Sequence, residues 1–394
     1  MTDDSRDGGA SARRGPLAGT RVVELASFIT GPYTGLMLAD LGADVIKIEQ
    51  PKGGDAFRRF GRPATYVSPV FANCNRGKRS MVLDLKAEGG VATLLRLLTT
   101  TDILVCNWRP DVAERLGLGD HVLEEANPRL IRMYISGFGP AGPNADEPAF
   151  DNVLQARSGL TQALWAGEEP TILPGYPIDK MTAVMAAQAA LAALLSRQRD
   201  GRGDRIDLAM LDAAGYLNFI DLFTNRVFVD HQPAEARNLH ASSTRPLAAS
   251  DGWLIIAPVS GEAIRNACVT VGHPDWADEV LPIADQVTMV RLLFDRMESV
   301  MPTDTVANWL SRFQAHDVPA APCLSIDEHL DDPQVAHNQM YSVTEWPDVG
   351  KVRSARYPAR FASTGPLAAT GAAPRLGANT DEILAELDTR AIGD

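Results

Sequence analysis

The first half of the chain alternates short apolar runs with segments of helical spacing, and this alternation constrains the fold more than any other feature. Arg21–Leu25 and Asp44–Glu49 are short runs rich in Val and Ile, as strands are. Between them, Tyr33–Leu41 has helical spacing, and Gly42 follows where a helix commonly ends. A strand–helix–strand unit of this kind joins parallel strands through a right-handed crossover. The order therefore predicts an α/β domain with a mostly parallel sheet.

The same alternation recurs up to about residue 211. Further helices are predicted at Glu88–Leu98, Val112–Leu116 and Lys180–Arg199, and further strands at Asp102–Asn107, Leu130–Ser136 and Arg205–Leu211. Ligands of parallel α/β sheets bind at the carboxyl ends of the strands. Glu49, Asn107 and Ser136 come at such ends, so we expect them to face a ligand crevice.

The character of the chain changes after about residue 230, where a smaller α+β region is predicted. A chain of 394 residues is also longer than one core usually supports, so more than one domain is expected. The predicted organisation is a disordered tail at 1–15, a large α/β domain at 16–225, a smaller α+β domain at 226–335 and a C-terminal return to the large domain at 336–394.

Charge and motifs exclude several classes of function. The formal net charge of -13 disfavours nucleic-acid binding, because an acidic chain repels phosphate backbones. The first strand is not followed by GxGxxG, and the chain has no GxxxxGK[ST], so a nicotinamide or nucleoside triphosphate site has no support. The His and Cys residues form no HxxxH, HExxH or CxxC pair, and no metal site is expected.

The N-terminus lacks the apolar segment of a secretory signal. No uninterrupted apolar stretch approaches the ~18 residues that a membrane span needs. The longest mainly apolar run lies near Ala183–Leu195. It is rich in Ala and interrupted by Gln188, which favours a buried core helix. We therefore expect a soluble cytoplasmic protein that makes no membrane contact.

Six segments, in order, carry a resemblance to a known family. They are LAGTRVVELASFITGPYTGLMLADLGADVIKIEQPKGGD, FANCNRGKRSMVLDLK, DILVCNWRPDVAERLGLG, ISGFGPAGPNADEPAFDNVLQARSGL, PIDKMTAVMAAQAALAALLSRQRDGRGDRIDLAMLDA and the end from DDPQVAHNQM to PRLGANTDEIL. From about Pro16 to Leu387 the chain resembles the class III coenzyme A-transferases (CaiB/BaiF family), formyl-coenzyme A transferase among them. The resemblance implies a large Rossmann-like domain, a smaller α+β domain and an interlocked homodimer.

The activity that the resemblance implies is transfer of coenzyme A (CoA) from an acyl-CoA thioester to a free carboxylic acid. CoA would be bound as substrate and product. Asp179, in PIDK, falls at the position of the family's nucleophile, which would form an aspartyl anhydride and then an aspartyl-CoA thioester. From the residues alone, Asp179 is explained as the N-cap of the helix that follows.

The resemblance also implies contacts with CoA, which needs cations for its phosphates and apolar walls for its adenine. The implied contact residues are Arg76, Lys78, Asn107 and Arg115, with Arg109 and Lys47 as further candidates. Each of the charged side chains is alternatively explained as part of a solvated surface, because Lys and Arg are common there.

Two segments depart from formyl-coenzyme A transferase. The loop at 27–30 lacks the Gln with which that enzyme contacts the reacting carboxylate. The stretch at 239–245 is not rich in Gly, as the loop that closes over the intermediate is in that enzyme. We therefore expect an acceptor acid other than oxalate.

Two alternatives stay open. One is an α-methylacyl-CoA racemase or epimerase of the same fold, whose chemistry needs two opposed acid/base groups. The racemases have a His–Asp pair where this chain has Phe150 and Asp151, and Phe cannot exchange a proton. The other alternative is a catalytically silent acyl-CoA-binding protein, against which the retention of Asp179 argues.

Overall fold

The structure is a computed structural model and describes residues 15–61, 63, 65–164, 169–223, 226–230, 244–367 and 371–391. The described residues divide into two compact units. The first unit falls within Met1–Ser158, Pro174–Tyr216 and His337–Asp394, and the second within Gly159–Leu173 and Leu217–Ala336. Residues 159–173, which the sequence placed in the large domain, thus group with the second unit. The predicted disordered tail lies outside the described residues except for Gly15.

The first unit is built on a six-stranded sheet. Its strands are β1 Arg21–Leu25, β2 Asp44–Glu49, β3 Arg79–Val82, β4 Ile103–Cys106, β5 Ile131–Ser136 and β6 Arg205–Ala209. The strand order is β3-β2-β1-β4-β5-β6, and all neighbours pair in parallel. This is the doubly wound order, whose topological switch point lies between β1 and β4. The predicted α/β fold with a parallel sheet is confirmed.

Helices connect and flank these strands. In chain order they are α1 Thr30–Asp40, α2 Pro69–Asn75, α3 Gly90–Leu98, α4 Pro110–Arg115, α5 Asp120–Ala126, α6 Asp151–Arg157, α8 Pro177–Asp200 and α9 Met210–Asn218. The short helix α7 Leu160–Ala163, which comes between α6 and α8 in the chain, belongs to the second unit. The predicted strand Arg205–Leu211 is wrong at its end, because the chain enters α9 at Met210. A short apolar run does not by itself distinguish a strand from a buried helix.

α8 is the longest helix described, with 24 residues, and it packs against α1 and β5. Its buried face is made of small residues such as Ala183, Ala186 and Ala190, which let the neighbouring backbone approach closely. By length and composition alone this helix could also cross a membrane. The core helices of soluble proteins meet the same criterion, so the expectation that Ala183–Leu195 is a core helix and not a membrane span stays a prediction.

The second unit has a three-stranded antiparallel sheet, made of β7 Leu247–Ala248, β8 Trp253–Ile256 and β9 Ala320–Pro322. Its helices are α10 Gly261–Thr270, α11 Trp276–Val280, α12 Gln286–Val300, α13 Val306–Ala315, α14 Ile326–Asp331 and α15 Pro333–His337. Phe294, Trp309 and Phe313 are buried at the centre of its core. The predicted α+β character of this region is present.

The C-terminal segment adds the hairpin β10 Tyr341–Trp346 and β11 Gly350–Ala355, the pair β12 Arg360–Phe361 and β13 Gly365–Pro366, and α16 Thr380–Ala391. It joins the edge of the first unit's sheet. Asn379 N–H donates to the Ser80 carbonyl at 3.0 Å, and the Ser80 N–H donates to Asn379 Oδ1 at 3.1 Å. α16 then packs Ile383 and Leu387 into the apolar core of that unit.

Candidate active site

Asp179 lies in the first turn of α8, as the third residue of the helix. The N-cap is Tyr176, which makes no side-chain cap bond. Asp151, at the start of α6, caps the helix instead. Its Oδ1 accepts the N–H of Ile178 at 2.7 Å and the N–H of Asp179 at 3.0 Å. The prediction that Asp179 itself caps the helix is therefore wrong. Its carboxylate is available for other partners.

The carboxylate of Asp179 meets the hydroxyl of Thr30, the first residue of α1, which donates to Oδ1. Burial raises the pKa of Asp179 to about 6, although the Thr30 hydrogen bond opposes this shift and the nearby charge of Asp151 adds to it. A carboxylate in such a site is less solvated than usual. It is therefore a stronger nucleophile whenever it is ionised.

The loop after β1 is tied to the loop after β4 across the switch point. Asn107 accepts the Ser27 N–H at 3.1 Å and donates from Nδ2 to the Ser27 carbonyl at 2.8 Å. The next residue, Phe28, has a left-handed backbone with φ of 67°, which is rare for a bulky residue. Its N–H donates to Asp55 at 3.3 Å. These bonds fix the backbone just before Thr30.

Asp179 opens into a pocket of the first unit, which we call the Asp179 pocket. Its lining is Phe28, Thr30, Asn107, Trp108, Arg109, Ile135, Ser136, Gly137, Ala145, Glu147, Pro148, Ala149, Phe150, Asp179 and Met210. The rings of Phe28 and Phe150 meet edge to face with centroids 5.4 Å apart. Arg109 is the one basic residue of this lining. An apolar wall beside a carboxylate and a guanidinium suits an acyl thioester with a polar partner.

Lys47 and Lys78 lie in a buried ionic network rather than in the pocket. Lys47 Nζ contacts Glu24 Oε1 and the Ala26 carbonyl, each at 2.8 Å, and Asp55 Oδ2 at 3.0 Å. Burial alone would lower the pKa of Lys47, but the two carboxylates raise it above its ordinary value. β2 is an interior strand on which Lys47 lies opposite Glu24, so the alternative of an edge charge is wrong.

Lys78 Nζ contacts Glu24 Oε2 at 2.6 Å, the Pro32 carbonyl at 2.6 Å and Asn75 Oδ1 at 2.9 Å. Burial lowers the pKa of Lys78 to about 8, against the opposing charge of Glu24. An ammonium group has three donors, and here each has an oxygen within reach. All three donors of the Lys78 ammonium group are therefore used in hydrogen bonds within the first unit.

Arg76 and Arg115 also lie away from the Asp179 pocket. Arg76 is buried, pairs with Asp40 through both terminal nitrogens, and donates to the Ala355 carbonyl at 2.9 Å. Arg115 has a side chain 70% exposed and pairs with Asp111 at 2.7 Å, one turn earlier on α4. Of the predicted site residues, the structure thus brings together Asp179, Asn107 and Arg109.

Sequence reasoning missed a second crevice at the carboxyl ends of β1, β2 and β3, which we call the strand-end crevice. Its lining includes Ser27, Lys52, Lys86 and Trp108, and Trp108 also lines the Asp179 pocket. Lys52 and Lys86 are exposed and lie in the loops that follow β2 and β3. The rule that ligands bind beyond strand ends was a signal that could have found them.

Two other expectations are limited by what the structure describes. Within the described residues, no three His, Cys, Asp or Glu side chains group closely enough to hold a metal ion. Most of the stretch predicted to correspond to a closing loop, 239–245, lies outside the described residues.

The model of the family described as CoA-transferase family III matches residues 17–380 of this chain. The chain belongs to this family. It is therefore a CoA-transferase, and the predicted enzyme class is confirmed. Enzymes of this family transfer CoA between an acyl-CoA and a carboxylate.

Curated relatives support this CoA-transferase assignment. The chain is 32% identical over 392 residues to succinate–glutarate CoA-transferase of Agrobacterium fabrum, covering 96% of this chain and 97% of that protein. It is 33% identical over 334 residues to acetyl-CoA:oxalate CoA-transferase of Acetobacter aceti, covering 83% and 85%. A crystal structure of a CaiB/BaiF family protein from Brucella suis matches with a TM-score of 0.81 at 29% identity, covering 95% of this chain and 100% of that chain.

Proposed function

We propose that this CoA-transferase works through covalent intermediates on Asp179. The observation that carries the proposal is the position of this carboxylate, which is buried and bound by Thr30 at the wall of an apolar pocket. No other carboxylate of that pocket combines burial with a raised pKa, since Glu147 is exposed. A desolvated carboxylate next to an apolar wall is competent to attack a thioester.

The proposed cycle conserves atoms and charge at each step. Asp179 attacks the thioester carbonyl and the carbon–sulfur bond breaks. CoA leaves as a thiolate, and the acyl group and Asp179 are joined as a mixed anhydride. The thiolate then attacks Cγ of Asp179, which expels the donor acid as a carboxylate and leaves an aspartyl-CoA thioester. The acceptor carboxylate runs the same two steps in reverse.

CoA is proposed to lie with its charged end in the strand-end crevice and its sulfur in the Asp179 pocket. Trp108 lines both spaces, and Lys52 and Lys86 supply cations at strand ends, where such sheets bind ligands. Asn107 and Arg109 remain proposed CoA contacts beside Asp179.

Four other predicted contacts stay predictions that the geometry does not favour. Lys47, Arg76 and Lys78 are buried and paired with carboxylates, and Arg115 pairs with a neighbour on α4. Their ion pairs support a structural role, because a phosphate would have to displace a carboxylate that is already in place.

The acceptor acid is proposed from the names of the relatives. They name succinate, glutarate, oxalate and malate, all of which are dicarboxylates. A panel of free acids should therefore start with dicarboxylates of three to five carbons. Oxalate, which the sequences at 27–30 and 239–245 disfavour, and monocarboxylates serve as the comparison. Each acid is incubated with a set of acyl-CoA donors, and new thioesters are identified by mass spectrometry.

The test of the covalent mechanism compares wild type with Asp179→Asn, which keeps the shape but is a far poorer nucleophile. The wild type should form an adduct of CoA mass on the peptide that contains Asp179, and hydroxylamine should convert that adduct to a hydroxamate. The Asn variant should lose transfer almost completely while it still binds CoA. Substantial transfer by the variant, with no adduct on the wild type, would refute the mechanism and leave the family assignment intact.

The racemase alternative is disfavoured by the local geometry. Asp151, which a racemase would need as part of its base, is 2% exposed and already accepts two backbone N–H groups. Phe150 lines the pocket where proton exchange would need a His. We expect no exchange of the α-proton of a 2-methylacyl-CoA in heavy water; exchange at the rate of turnover would instead establish racemase chemistry.

We also propose that the enzyme is a homodimer with interlocked chains, as its resemblance to the family implies. Support comes from large apolar side chains that this chain leaves exposed, among them Ile220 at 84%, Phe228 at 71% and Val229 at 92%. Patches of this kind on a monomer mark interaction surfaces. Light scattering at micromolar concentration should give twice the mass of one 42.4 kDa chain. A monomeric mass would overturn the proposal.

A further inference from the structure

Thr30 gives the two oxygens of Asp179 different surroundings. Its hydroxyl is buried, with a residue exposure of 3%, and it donates to Oδ1 of Asp179. The other neighbour of that hydroxyl is the sulfur of Met210 at 3.8 Å, a weak acceptor. Among the described residues no hydrogen-bond donor reaches Oδ2 of Asp179, and Asp179 lines the Asp179 pocket. Oδ2 is thus the oxygen free to attack.

The consequence concerns the step after the attack. Once Oδ2 has bonded to the acyl group, Oδ1 becomes the carbonyl oxygen of the aspartyl group. When the CoA thiolate adds to Cγ, the electron pair of that carbonyl moves onto Oδ1, which becomes an oxyanion. The tetrahedral adduct then collapses, breaking the bond from Cγ to the bridging oxygen and releasing the donor acid.

We propose that the Thr30 hydroxyl is an oxyanion donor on the nucleophile itself and stabilises the adduct formed when the CoA thiolate attacks Asp179. Thr30 is then a catalytic residue for every step that passes through the aspartyl carbonyl. This proposal rests on the covalent mechanism given above. It adds that the oxyanion donor is a side chain of α1.

The two chemical steps should respond differently to loss of this hydroxyl. In the mixed anhydride Oδ1 is a neutral carbonyl oxygen, and full negative charge develops on it only during thiolate attack. A donor there therefore stabilises that transition state more than the anhydride from which it forms. During anhydride formation, charge leaves Oδ1 and the donor gives no such advantage. Removing Thr30's hydroxyl should therefore slow the second step and spare the first.

The experiment mixes enzyme with acyl-CoA in a rapid-quench device and follows two products. Free CoA thiol reports the mixed anhydride, and the protein adduct of CoA mass reports the aspartyl thioester. In Thr30→Val, which keeps the branched shape, adduct formation should slow about 10²–10³-fold, the usual cost of losing one oxyanion donor. Free thiol should accumulate to nearly one equivalent. Thr30→Ser should restore adduct formation to within about tenfold of the wild type.

Thr34→Val is the matched control, because Thr34 is buried one turn later on α1 and donates to the Thr30 carbonyl at 2.8 Å. It should leave both steps unchanged. The pH profile is a second readout: the acid limb set by the pKa of Asp179, about 6, should move to higher pH in Thr30→Val, because the bond that lowers this pKa is lost. If Thr30→Val does not fold, Thr30→Ala takes its place with the same expectations.

Three outcomes would overturn the proposal. They are adduct formation by Thr30→Val at the wild-type rate, equal slowing of thiol release and adduct formation, and failure of Thr30→Ser to restore the second step. Equal slowing would identify Thr30 as a residue that only positions Asp179. A wild-type enzyme that transfers CoA with no adduct would be a different result, since it would refute the covalent mechanism and this inference together.

Discussion

In the proposed mechanism Asp179 must be ionised to act as a nucleophile, but its buried position disfavours the ionised form. Burial raises its pKa from 3.8 to about 6, so the folded protein binds this proton more tightly than the unfolded chain does. The stability of the fold is therefore lowered as pH rises from about 4 through about 6. Each unit of pKa shift corresponds to about 1.4 kcal/mol.

We predict that Asp179→Asn makes the protein more stable at pH 7.5, because Asn removes the buried charge and keeps an acceptor for Thr30. The gain should be at most about 3 kcal/mol, the value of a shift of about two pKa units. It should shrink as pH falls from about 6 to about 4, because the wild-type carboxyl group becomes protonated over this range. Thermal midpoints of both proteins between pH 4 and pH 8 measure it. A variant less stable than wild type at pH 7.5 would contradict the argument.

Variants of Lys78 and Lys86 distinguish a structural lysine from a ligand-binding one. Lys78→Met should cost about 3–5 kcal/mol of stability, because it removes a partner from the buried charge of Glu24. Lys86→Met lies on the surface of the strand-end crevice and should change stability by less than about 0.5 kcal/mol. It should raise KM for acyl-CoA without lowering kcat, as loss of uniform binding does.

Urea unfolding and steady-state kinetics on both variants decide between these roles. A Lys78→Met enzyme that is as stable as wild type and has a raised KM would show that Lys78 binds coenzyme A and is not structural. A Lys86→Met enzyme with unchanged KM would remove Lys86 from that site.

At the scale of elements, α6 organises the first turn of α8. Both helices meet at Asp151, whose Oδ1 accepts two N–H groups of α8 while its Oδ2 accepts from Gln155 at 2.6 Å. The N-terminal end of a helix leaves such N–H groups without partners inside the helix. The residue that satisfies them thus also sets the direction in which Asp179 points.

We predict that Asp151→Ala destabilises the protein by about 1–3 kcal/mol, the cost of leaving a buried polar group unpaired. Transfer activity should fall by a larger factor than CoA affinity, because Asp179 loses its orientation. Asp151→Asn keeps one acceptor oxygen and should lie between Ala and wild type. The control is Asp111→Ala on exposed α4, which should change stability by less than about 1 kcal/mol. Equal effects of Asp111→Ala and Asp151→Ala would argue against a capping role.

At the scale of the molecule, the chain's C-terminal end completes the first unit. Ile383 is fully buried in a core that includes Leu94 and Leu97 of α3. Arg79 on β3 connects α16 to the sheet, because it pairs with Glu386 of α16 and with Asp44 of β2. Because these contacts span almost the whole sequence, the first unit's core is complete only after its last helix is in place.

We predict that Ile383→Ala destabilises the protein by about 2–5 kcal/mol, as large-to-small changes in packed cores do. Glu382→Ala, on the exposed side of the same helix, should cost less than about 1 kcal/mol although it removes a contact to Arg79. Denaturant unfolding of the two variants makes the comparison. If Ile383→Ala is no more harmful than Glu382→Ala, α16 does not contribute to the core as described.

The sequence alone determined the alternation of strands and helices, the parallel sheet and the family, although it did not predict α2 and β3. These properties depend on local periodicity and on the order of segments, both of which are written along the chain. β1 and β2 were predicted at Arg21–Leu25 and Asp44–Glu49, and the structure has them at those bounds.

Only the tertiary structure decided which charges face each other. Thr30 and Asp179 are 149 positions apart, and Lys78 and Glu24 are 54 apart, so no local pattern could have paired them. The sequence showed Lys47 and Lys78 as cations near a ligand crevice. The fold places both against Glu24, because the carboxylate of Glu24 is fully buried on the interior strand β1 and a buried charge must find a partner.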